Sequence, residues 1–217
     1  MKLIVPFPAG GPTELVGREA ANILREELKQ PVIVENCPDG NGVLGHSVLA
    51  KSPADGYTIG LLVITVSIAP HLGNAPFDTF KDFAPISNMV SMTPIIVANN
   101  NAPFNNLSEL TTYAKTNPEK LAYGTHGVAT AKESGYPGLV VSPWFGLGAP
   151  AGVPADILQK MHAAIAKGLN TKEVQDKFAA IGASVHSSKS PAEFSDYIKS
   201  EYERWGKVIK AADVKAE

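Results

Sequence analysis

Short apolar segments alternate with helix-forming segments over residues 1–63, and this alternation constrains the fold more than any other feature of the sequence. Residues 3–7 form an apolar, β-branched run that ends at a glycine turn. Apolar residues then recur at helical spacing up to residue 28, and two further apolar runs follow at 32–34 and 57–63. Strands and helices that alternate in this way build a parallel sheet covered by helices. We therefore predict an α/β fold with a mostly parallel sheet flanked by helices.

The rest of the chain is predicted with the same rules. Residues 74–85 are predicted to form a loop whose Phe77, Phe80 and Phe83 plug the edge of the core, and 92–98 are predicted to form a strand. Asn106 and Glu109 form a capping box at the start of another helix. Further helices are predicted at 43–50, 155–169, 172–181 and 191–212, and further strands at 121–123, 144–147 and 184–187.

Composition excludes several classes of protein. With 44% hydrophobic residues in 217, the chain can bury a core. Its 19 basic and 21 acidic residues leave no positive excess for a phosphate backbone, so nucleic acid is not an expected partner. Cys37 is the only cysteine, which excludes an internal disulfide. No apolar run reaches the roughly 18 residues of a membrane span, and residues 1–6 lack the apolar stretch of a signal peptide.

The first candidate site is the turn Phe7-Pro8-Ala9-Gly10-Gly11-Pro12-Thr13-Glu14 between a strand and a helix. Glycines let backbone amides approach a ligand, and the start of a helix carries partial positive charge. Such a turn holds an anion without arginine. It is neither a dinucleotide fingerprint nor a phosphate loop, since the required glycine and lysine spacing is missing. The alternative is a tight turn that only packs the helix on the sheet.

The second candidate site is the turn Gly124-Thr125-His126-Gly127-Val128-Ala129-Thr130, which follows a predicted strand. Two threonine hydroxyls and the glycine amides make it rich in hydrogen-bond donors. Alone it also fits an ordinary polar connection. Together with the first turn it indicates a carboxylate-sized ligand held from two sides.

Catalysis is disfavoured, and no catalytic residue, metal ligand or cofactor is predicted. The chain has no Gly-x-Ser-x-Gly elbow for a nucleophile. Its five histidines are scattered without the spacing of a zinc site. Two competing hypotheses stay open on the residues alone. One is an enzyme that binds a phosphate or nucleotide at the Gly10-Gly11 turn, and the other is a stand-alone interaction domain.

Several sequence blocks, in the same order, resemble the tripartite tricarboxylate transporter receptors, the Bug or TctC family. The blocks are Ile4-Val5-Pro6-Phe7-Pro8-Ala9-Gly10-Gly11, Pro31-Val32-Ile33-Val34-Glu35-Asn36, Asp55-Gly56-Tyr57-Thr58, Trp144-Phe145-Gly146-Leu147 and Ala149-Pro150-Ala151-Gly152-Val153-Pro154. The resemblance implies a periplasmic solute receptor with two α/β lobes that close on a small organic anion, such as a di- or tricarboxylate. It also implies that the ligand passes to the membrane components of the transporter, and that no reaction occurs.

The resemblance also implies which residues bind the anion. The first-lobe contacts would be Phe7, Ala9, Gly10, Gly11, Pro12 and Thr13, with Val66 and Ser67 as the neighbouring wall. The second-lobe contacts would be Tyr123, Gly124, Thr125, Gly127 and Thr130. Glu14 stands where the family often has aspartate.

One departure from the family pattern concerns the second lobe. A stretch of about 100 residues, the size of a small domain, is absent between Thr130 and Glu133. Either this is a truncated receptor, or the natural chain carries a segment that this sequence lacks. Residues 1–103 and 144–217 are then expected to form the first lobe, and 104–143 a remnant of the second lobe with its crossover. We expect weakened ligand binding and a homodimer formed through the exposed remnant.

Overall fold

The structure is a computed structural model, and it describes residues 1–73, 75–93, 98–117 and 143–212. The strands in these ranges are β1 (Lys2–Val5), β2 (Ile33–Asn36), β3 (Thr58–Val63), β4 (Phe83–Met92), β5 (Trp144–Pro150) and β6 (Ala183–Val185). The helices are α1 (Pro12–Leu28), α2 (Val43–Ala50), α3 (Thr65–Ile68), α4 (Leu107–Thr116), α5 (Ala155–Leu169), α6 (Lys172–Ala180) and α7 (Pro191–Ala212). Short 3-10 turns lie at Gly40–Gly42 and Ala69–Leu72.

The strands form one mixed sheet in the order β2-β1-β3-β5-β4-β6. β1 is central to the parallel part: Leu3 pairs with Val34 of β2 and with Ile59 of β3. β5 runs antiparallel to β3, with Leu61 opposite Leu147. The predicted α/β fold with helices flanking a mainly parallel sheet is therefore confirmed for the first three strands, and β5 makes the sheet mixed.

Helices cover the two faces of this sheet. A Cβ atom added to Gly17 of α1 would lie 2.6 Å from Cγ2 of Val5, so α1 packs directly on one face of β1. On the other face, Leu49 of α2 fills the space above Gly60 of β3, where an added Cβ would lie 2.7 Å from the leucine Cδ2. Successive strand residues point to opposite faces. The buried residues of β1 therefore face helices on both sides of the sheet, and this explains why residues 3–5 are all apolar.

The segment between β3 and β5 differs from the prediction. Residues 75–82 of the predicted loop over 74–85 contain no helix or strand, but β4 begins at Phe83 and ends at Met92. Residues 94–97 of the predicted strand over 92–98 lie outside the described residues. β4 was missed because Ser87 and Asn88 interrupt its apolar pattern. Both are buried. Ser87 Oγ lies 3.3 Å from Ser188 Oγ, which also accepts from the Asn88 backbone amide at 3.2 Å, and Asn88 Oδ1 accepts from the Met89 backbone amide at 3.0 Å.

Of the three phenylalanines predicted to plug the core, two do so. Phe77 and Phe83 are buried and their ring centroids lie 5.4 Å apart. Phe80 is 50% exposed and packs its edge against Tyr202 of α7, so its placement in the core is wrong. Asp78 and Asp82 stand two positions before and two positions after Phe80. Their carboxylates accept hydrogen bonds from backbone amides, which keeps this part of the chain at the surface.

The contacts divide the chain into two compact units. The first comprises Met1–Val90 and Trp144–Glu217, and the second comprises Ser91–Pro143. In the second unit, α4 is capped as predicted, because Asn106 Oδ1 accepts from the Glu109 amide at 2.9 Å. None of the helices in the described ranges has the length and apolar character that crossing a bilayer requires.

Candidate functional site

The loops that follow β1, β2 and β3 meet at one edge of the sheet. Asn36 Nδ2, at the end of β2, donates to the backbone oxygen of Phe7 after β1 at 2.9 Å. Thr65 Oγ1, just after β3, donates to the backbone oxygen of Asn41 at 2.8 Å. Because β1, β2 and β3 are parallel, this edge is the carboxyl end of all three strands. In open α/β sheets ligands bind outside this edge.

The turn after β1 adopts a backbone that requires glycine at one position only. Gly10 has φ +87°, in the region that favours glycine, whereas Gly11 has φ −87° and ψ 168°, which any residue can adopt. Gly11 is the residue that precedes α1, and it offers no capping side chain. Pro12 follows as the first helical residue and has no amide hydrogen. The chain thus enters α1 with few groups of its own to cap the helix.

Glu14 supplies part of the missing cap. Its Oε2 accepts from the Gly10 amide at 2.7 Å, and its Oε1 accepts from Arg18 Nε at 2.6 Å. Arg18 Nη2 lies 2.5 Å from the same oxygen, which makes an ion pair one helical turn apart. The Gly10 amide, followed by Arg18, lowers the pKa of the Glu14 carboxyl below its ordinary value. One of the two glycine amides predicted to hold a ligand is therefore already bonded within the protein.

The amides of Gly11 and of the buried Thr13 are unbonded donors at the start of α1 within the described part of the chain, and the amides of Phe7 and Ala9 earlier in the turn have no hydrogen-bond partner there either. Ala9 and Gly10 beside them are exposed, and Gly11 is partly exposed. The Gly11 and Thr13 amides lie at the start of a helix of 17 residues, where the peptide dipoles favour negative charge. Chemically, this arrangement can bind one carboxylate or another small oxyanion.

Val66 and Ser67, the predicted neighbouring wall, are both fully buried in α3. Val66 belongs to the hydrophobic core, and its backbone oxygen accepts from Thr79 Oγ1 at 2.6 Å. The Ser67 hydroxyl has no hydrogen-bond partner among the described residues. The structure therefore places these residues in the segment after β3, at the same end of the sheet as the turn after β1, but encloses their side chains.

The remaining predicted contacts, Tyr123, Gly124, Thr125, Gly127 and Thr130, lie outside the described residues, as does the predicted strand before them. They stay predictions.

Two cavities of the first unit lie away from the candidate turn. The larger, of about 450 Å³, is an open groove lined by Pro70, Pro76, Phe80, Asp82 and Tyr202 among others. The smaller, of about 180 Å³, lies between α1 and α6 and is lined mainly by charged side chains. Neither contains a predicted ligand contact. Within the described ranges, no three histidine, cysteine or acidic side chains are grouped as metal ligands.

Two residues of the site were not predicted. Arg18 and Asn36 shape the turn through Glu14 and through the Phe7 carbonyl. Arg18 could have been found, because it stands four residues after Glu14 on the same helix face. Asn36 carries no comparable signal, since its contact spans 29 positions of the sequence.

A family model and several curated relatives match this chain. The model, described as "Tripartite tricarboxylate transporter family receptor" (TctC), matches residues 16–133 and 126–214. A UPF0065 protein of Bordetella pertussis is 42% identical over 139 residues, covering 62% of this chain but only 42% of the relative. Protein BugT of the same organism is 26% identical over 296 positions, covering 99% of this chain and 90% of BugT. Because the chain has 217 residues, BugT contains residues within that alignment without a counterpart here.

Solved structures share the fold along nearly the whole chain. The periplasmic binding protein BugD superposes with a TM-score of 0.88 at 24% identity, covering 100% of this chain and 98% of BugD. Rpa4515 of R. palustris with adipate gives 0.82 at 22% identity, covering 99% and 97%. MatC of Rhodopseudomonas palustris with bound malate gives 0.80 at 22% identity, covering 96% and 98%. The chain belongs to the tripartite tricarboxylate transporter receptor family, TctC, whose members are solute-binding proteins of transporters and not enzymes.

Proposed function

We propose that this chain binds a small organic acid as the receptor of a tripartite tricarboxylate transporter, and that the turn after β1 holds one carboxylate. The observation that carries the proposal is the pair of unbonded amides of Gly11 and Thr13 at the start of α1, as far as the structure describes the chain. An anion at this place gains both hydrogen bonds and the favourable field of the helix. No reactive side chain is needed.

The ligand class is a dicarboxylate or a similar small anion. Receptors of this family bind small carboxylates, and two structures with the same fold hold adipate and malate. Each of these acids has two carboxyl groups, so one end can occupy the turn after β1. We propose that the predicted second turn, from Tyr123 to Thr130, holds the other end. This second contact would come from a second lobe that is reduced to a remnant beginning near residue 104.

Weaker binding than in a longer receptor follows from this proposal. A two-lobed receptor encloses its ligand by closing around it. The relative BugT has residues within its alignment that this chain lacks. With less protein to close over the acid, fewer contacts are formed and more of the ligand stays in water.

The cellular setting is also part of the proposal. TctC receptors are periplasmic binding proteins. We propose that this chain works in the periplasm and hands its ligand to the membrane components of its transporter. The homodimer expected from the sequence has no support in the comparisons.

Calorimetric titration with malate and adipate tests the proposal, with inorganic phosphate as a third ligand. Gly11→Pro removes one proposed donor, and the backbone of Gly11, with φ −87°, is close to the proline value. Gly11→Ala is the matched control because it keeps the amide and its Cβ would meet only Pro8 O, at 3.7 Å. We expect Gly11→Pro to weaken acid binding about tenfold or more, since a hydrogen bond to a charged group contributes roughly 1.5–3 kcal/mol.

Two other outcomes of this titration would count against the proposal. Wild-type protein that releases no heat with either acid contradicts the proposal. Binding of phosphate alone points instead to the phosphate-binding alternative.

A further inference from the structure

We infer that the open groove between the 3-10 turn Ala69–Leu72, the residues just before β4 and α7 is a docking site for an arginine side chain of a partner protein. The groove has a volume of about 450 Å³ and belongs to the first unit. Its walls are mainly apolar and aromatic, and its charged lining residues are both carboxylates. The inference goes beyond the proposed function and does not depend on it.

Two aromatic rings form one wall of the groove. Phe80 is 50% exposed, and its ring centroid lies 4.9 Å from that of Tyr202 at an interplanar angle of 67°. Tyr202 is held by His71, whose ring centroid lies 4.1 Å away and whose Nε2 lies 2.8 Å from the Tyr202 backbone oxygen. Aromatic faces attract cations, and a wall that is already ordered lowers the entropic cost of binding one.

The groove carries negative charge that the chain neutralises only in part. Asp78 Oδ1 accepts from the backbone amides of Phe80 and Lys81, and Asp78 Oδ2 lies 3.1 Å from Lys81 Nζ. Asp82 Oδ2 accepts from the Asp78 amide at 2.7 Å, but Asp82 Oδ1 has no hydrogen bond or ion pair within the described residues. No cationic side chain described in the structure lines the groove. A cation from outside the chain therefore complements its charge.

Arginine fits this groove better than other cations do. Its planar guanidinium stacks on aromatic rings and offers several N–H donors to a carboxylate, whereas the lysine ammonium is compact and strongly hydrated. Its apolar stem can cover Pro70 and Pro76, which also line the groove. Sites for free small molecules bury most of the ligand, and an open groove does not. A side chain carried by a partner needs no such enclosure, because the rest of the partner covers it.

The groove lies at the opposite edge of the sheet from the candidate ligand turn. The amide of Ala151, just after β5, donates to the backbone oxygen of Asp82 at 2.9 Å. Because β5 runs antiparallel to β3, the end of β5 lies beside the start of β3. The ligand turn lies at the other end of the parallel strands. A partner docked in the groove therefore leaves the ligand turn open.

Peptide titrations of the full chain, followed by ¹H–¹⁵N NMR, test the inference. The probe is a capped five-residue peptide with a central arginine flanked by alanines. The same peptide with citrulline is the matched neutral probe, and the same peptide with lysine tests the preference for guanidinium. We expect saturable shifts of the Phe80 and Asp82 amides with the arginine peptide. Binding should be about tenfold weaker or more with citrulline and several-fold weaker with lysine, and saturating malate should not change it.

Two variants remove the two features of the groove separately. Asp82→Asn removes the charge but keeps an oxygen for the Asp78 amide, and Phe80→Leu removes the ring but keeps an apolar side chain. The control is Asp176→Asn on α6, which removes an exposed carboxylate paired with Lys172. We expect Asp82→Asn to bind the arginine peptide about tenfold more weakly, Phe80→Leu about threefold more weakly, and Asp176→Asn like wild type.

Several results would overturn the inference. They are no binding of the arginine peptide, equal binding of the citrulline peptide, or lysine binding as tight as arginine. Wild-type affinity in Asp82→Asn, or equal weakening in Asp82→Asn and Asp176→Asn, has the same consequence. Should Asp82→Asn not fold, Phe80→Leu decides: unchanged affinity overturns the inference and weaker binding supports it.

Two further results would assign the groove to another occupant and so also overturn the inference. Tighter binding of free arginine than of the capped peptide would make it a small-molecule site. A concentration-dependent dimer that Asp82→Asn abolishes, seen without peptide, would make the occupant a second copy of this chain. Failure of the wild type to bind malate or adipate removes the proposed function and leaves this inference standing.

Discussion

His46 is a histidine that the first unit encloses completely. It lies on α2, 1% exposed, with its ring edge toward Phe77 and Phe83 at centroid distances of 5.9 and 6.3 Å. Burial lowers the pKa of His46 to about 4, and nearby backbone groups of Gly42 and Leu61 oppose the shift only in part. Neither ring nitrogen has a hydrogen-bond partner of ordinary geometry among the described residues. The native protein therefore holds this side chain neutral.

Stability should fall at acidic pH because of His46. Its pKa in the folded protein is about 4, against an ordinary value of 6.5, so the unfolded chain binds the extra proton between these values. The contribution of the neutral His46 ring to the free energy of unfolding is complete above pH 6.5. It is lost as the pH falls toward 4, which lowers the free energy of unfolding by about 3 kcal/mol. Urea unfolding at a series of pH values measures this, with His46→Phe as the variant that lacks the titration.

The control for this experiment is His186→Phe, which replaces an exposed histidine. We expect His186→Phe to follow the wild-type pH dependence and His46→Phe to show a flatter one. Identical slopes for wild type and His46→Phe would contradict the account of a buried, neutral ring.

Helix α1 is the element on which the proposed site depends. It packs against β1 at Gly17 and against α5, where a Cβ added to Gly168 would lie 2.4 Å from Cγ2 of Ile23. These close approaches fix the position of its first turn relative to the sheet. Protein interiors are too densely packed for such contacts to shift without cost.

Gly17→Ala should destabilise the protein although alanine is the better helix former. The new methyl group would lie 2.6 Å from Cγ2 of Val5. Overpacking of this kind costs about 1–3 kcal/mol, against a gain of about 1 kcal/mol in helix propensity. We expect a net loss of up to about 2 kcal/mol in the free energy of unfolding, measured by urea denaturation.

Val5→Ala provides the matched test of the cause. Combined with Gly17→Ala, it removes the Val5 methyl group that lies nearest the new side chain, so the double variant should be more stable than the sum of the two single effects. Simple additivity would show that the contact with Val5 does not cause the loss of stability in Gly17→Ala.

The helices and strands that could be predicted are those with a local signal in the sequence. β1, α1 and β3 followed from continuous apolar runs, a proline in the first helical turn and helical spacing. β4 did not, because Ser87 and Asn88 are polar yet buried, and their partner Ser188 stands 100 or more positions later. The anion turn was predicted from its glycines, but the use of the Gly10 amide by Glu14 was not. A glutamate three residues into a helix indicates a cap without stating which amide it takes.

For the whole molecule, the proposal implies that affinity is limited by missing protein. Inserting the residues of BugT that lack a counterpart here, between Thr130 and Glu133, should tighten binding of malate or adipate. A fuller second lobe would remove more of the ligand from water and add contacts. Calorimetry on the original and extended chains measures the difference. Equal affinity would show that the first unit alone determines binding.

The central claim is that two backbone amides at the start of α1 recognise a carboxylate. Amide resonances followed by ¹H–¹⁵N NMR during titration with malate and adipate test it most directly. We expect saturable shifts of the Gly11 and Thr13 amides with either acid, and a Gly10 resonance that stays near its starting position because Glu14 already holds that amide. Saturable shifts elsewhere, with Gly11 and Thr13 unmoved, would contradict the claim.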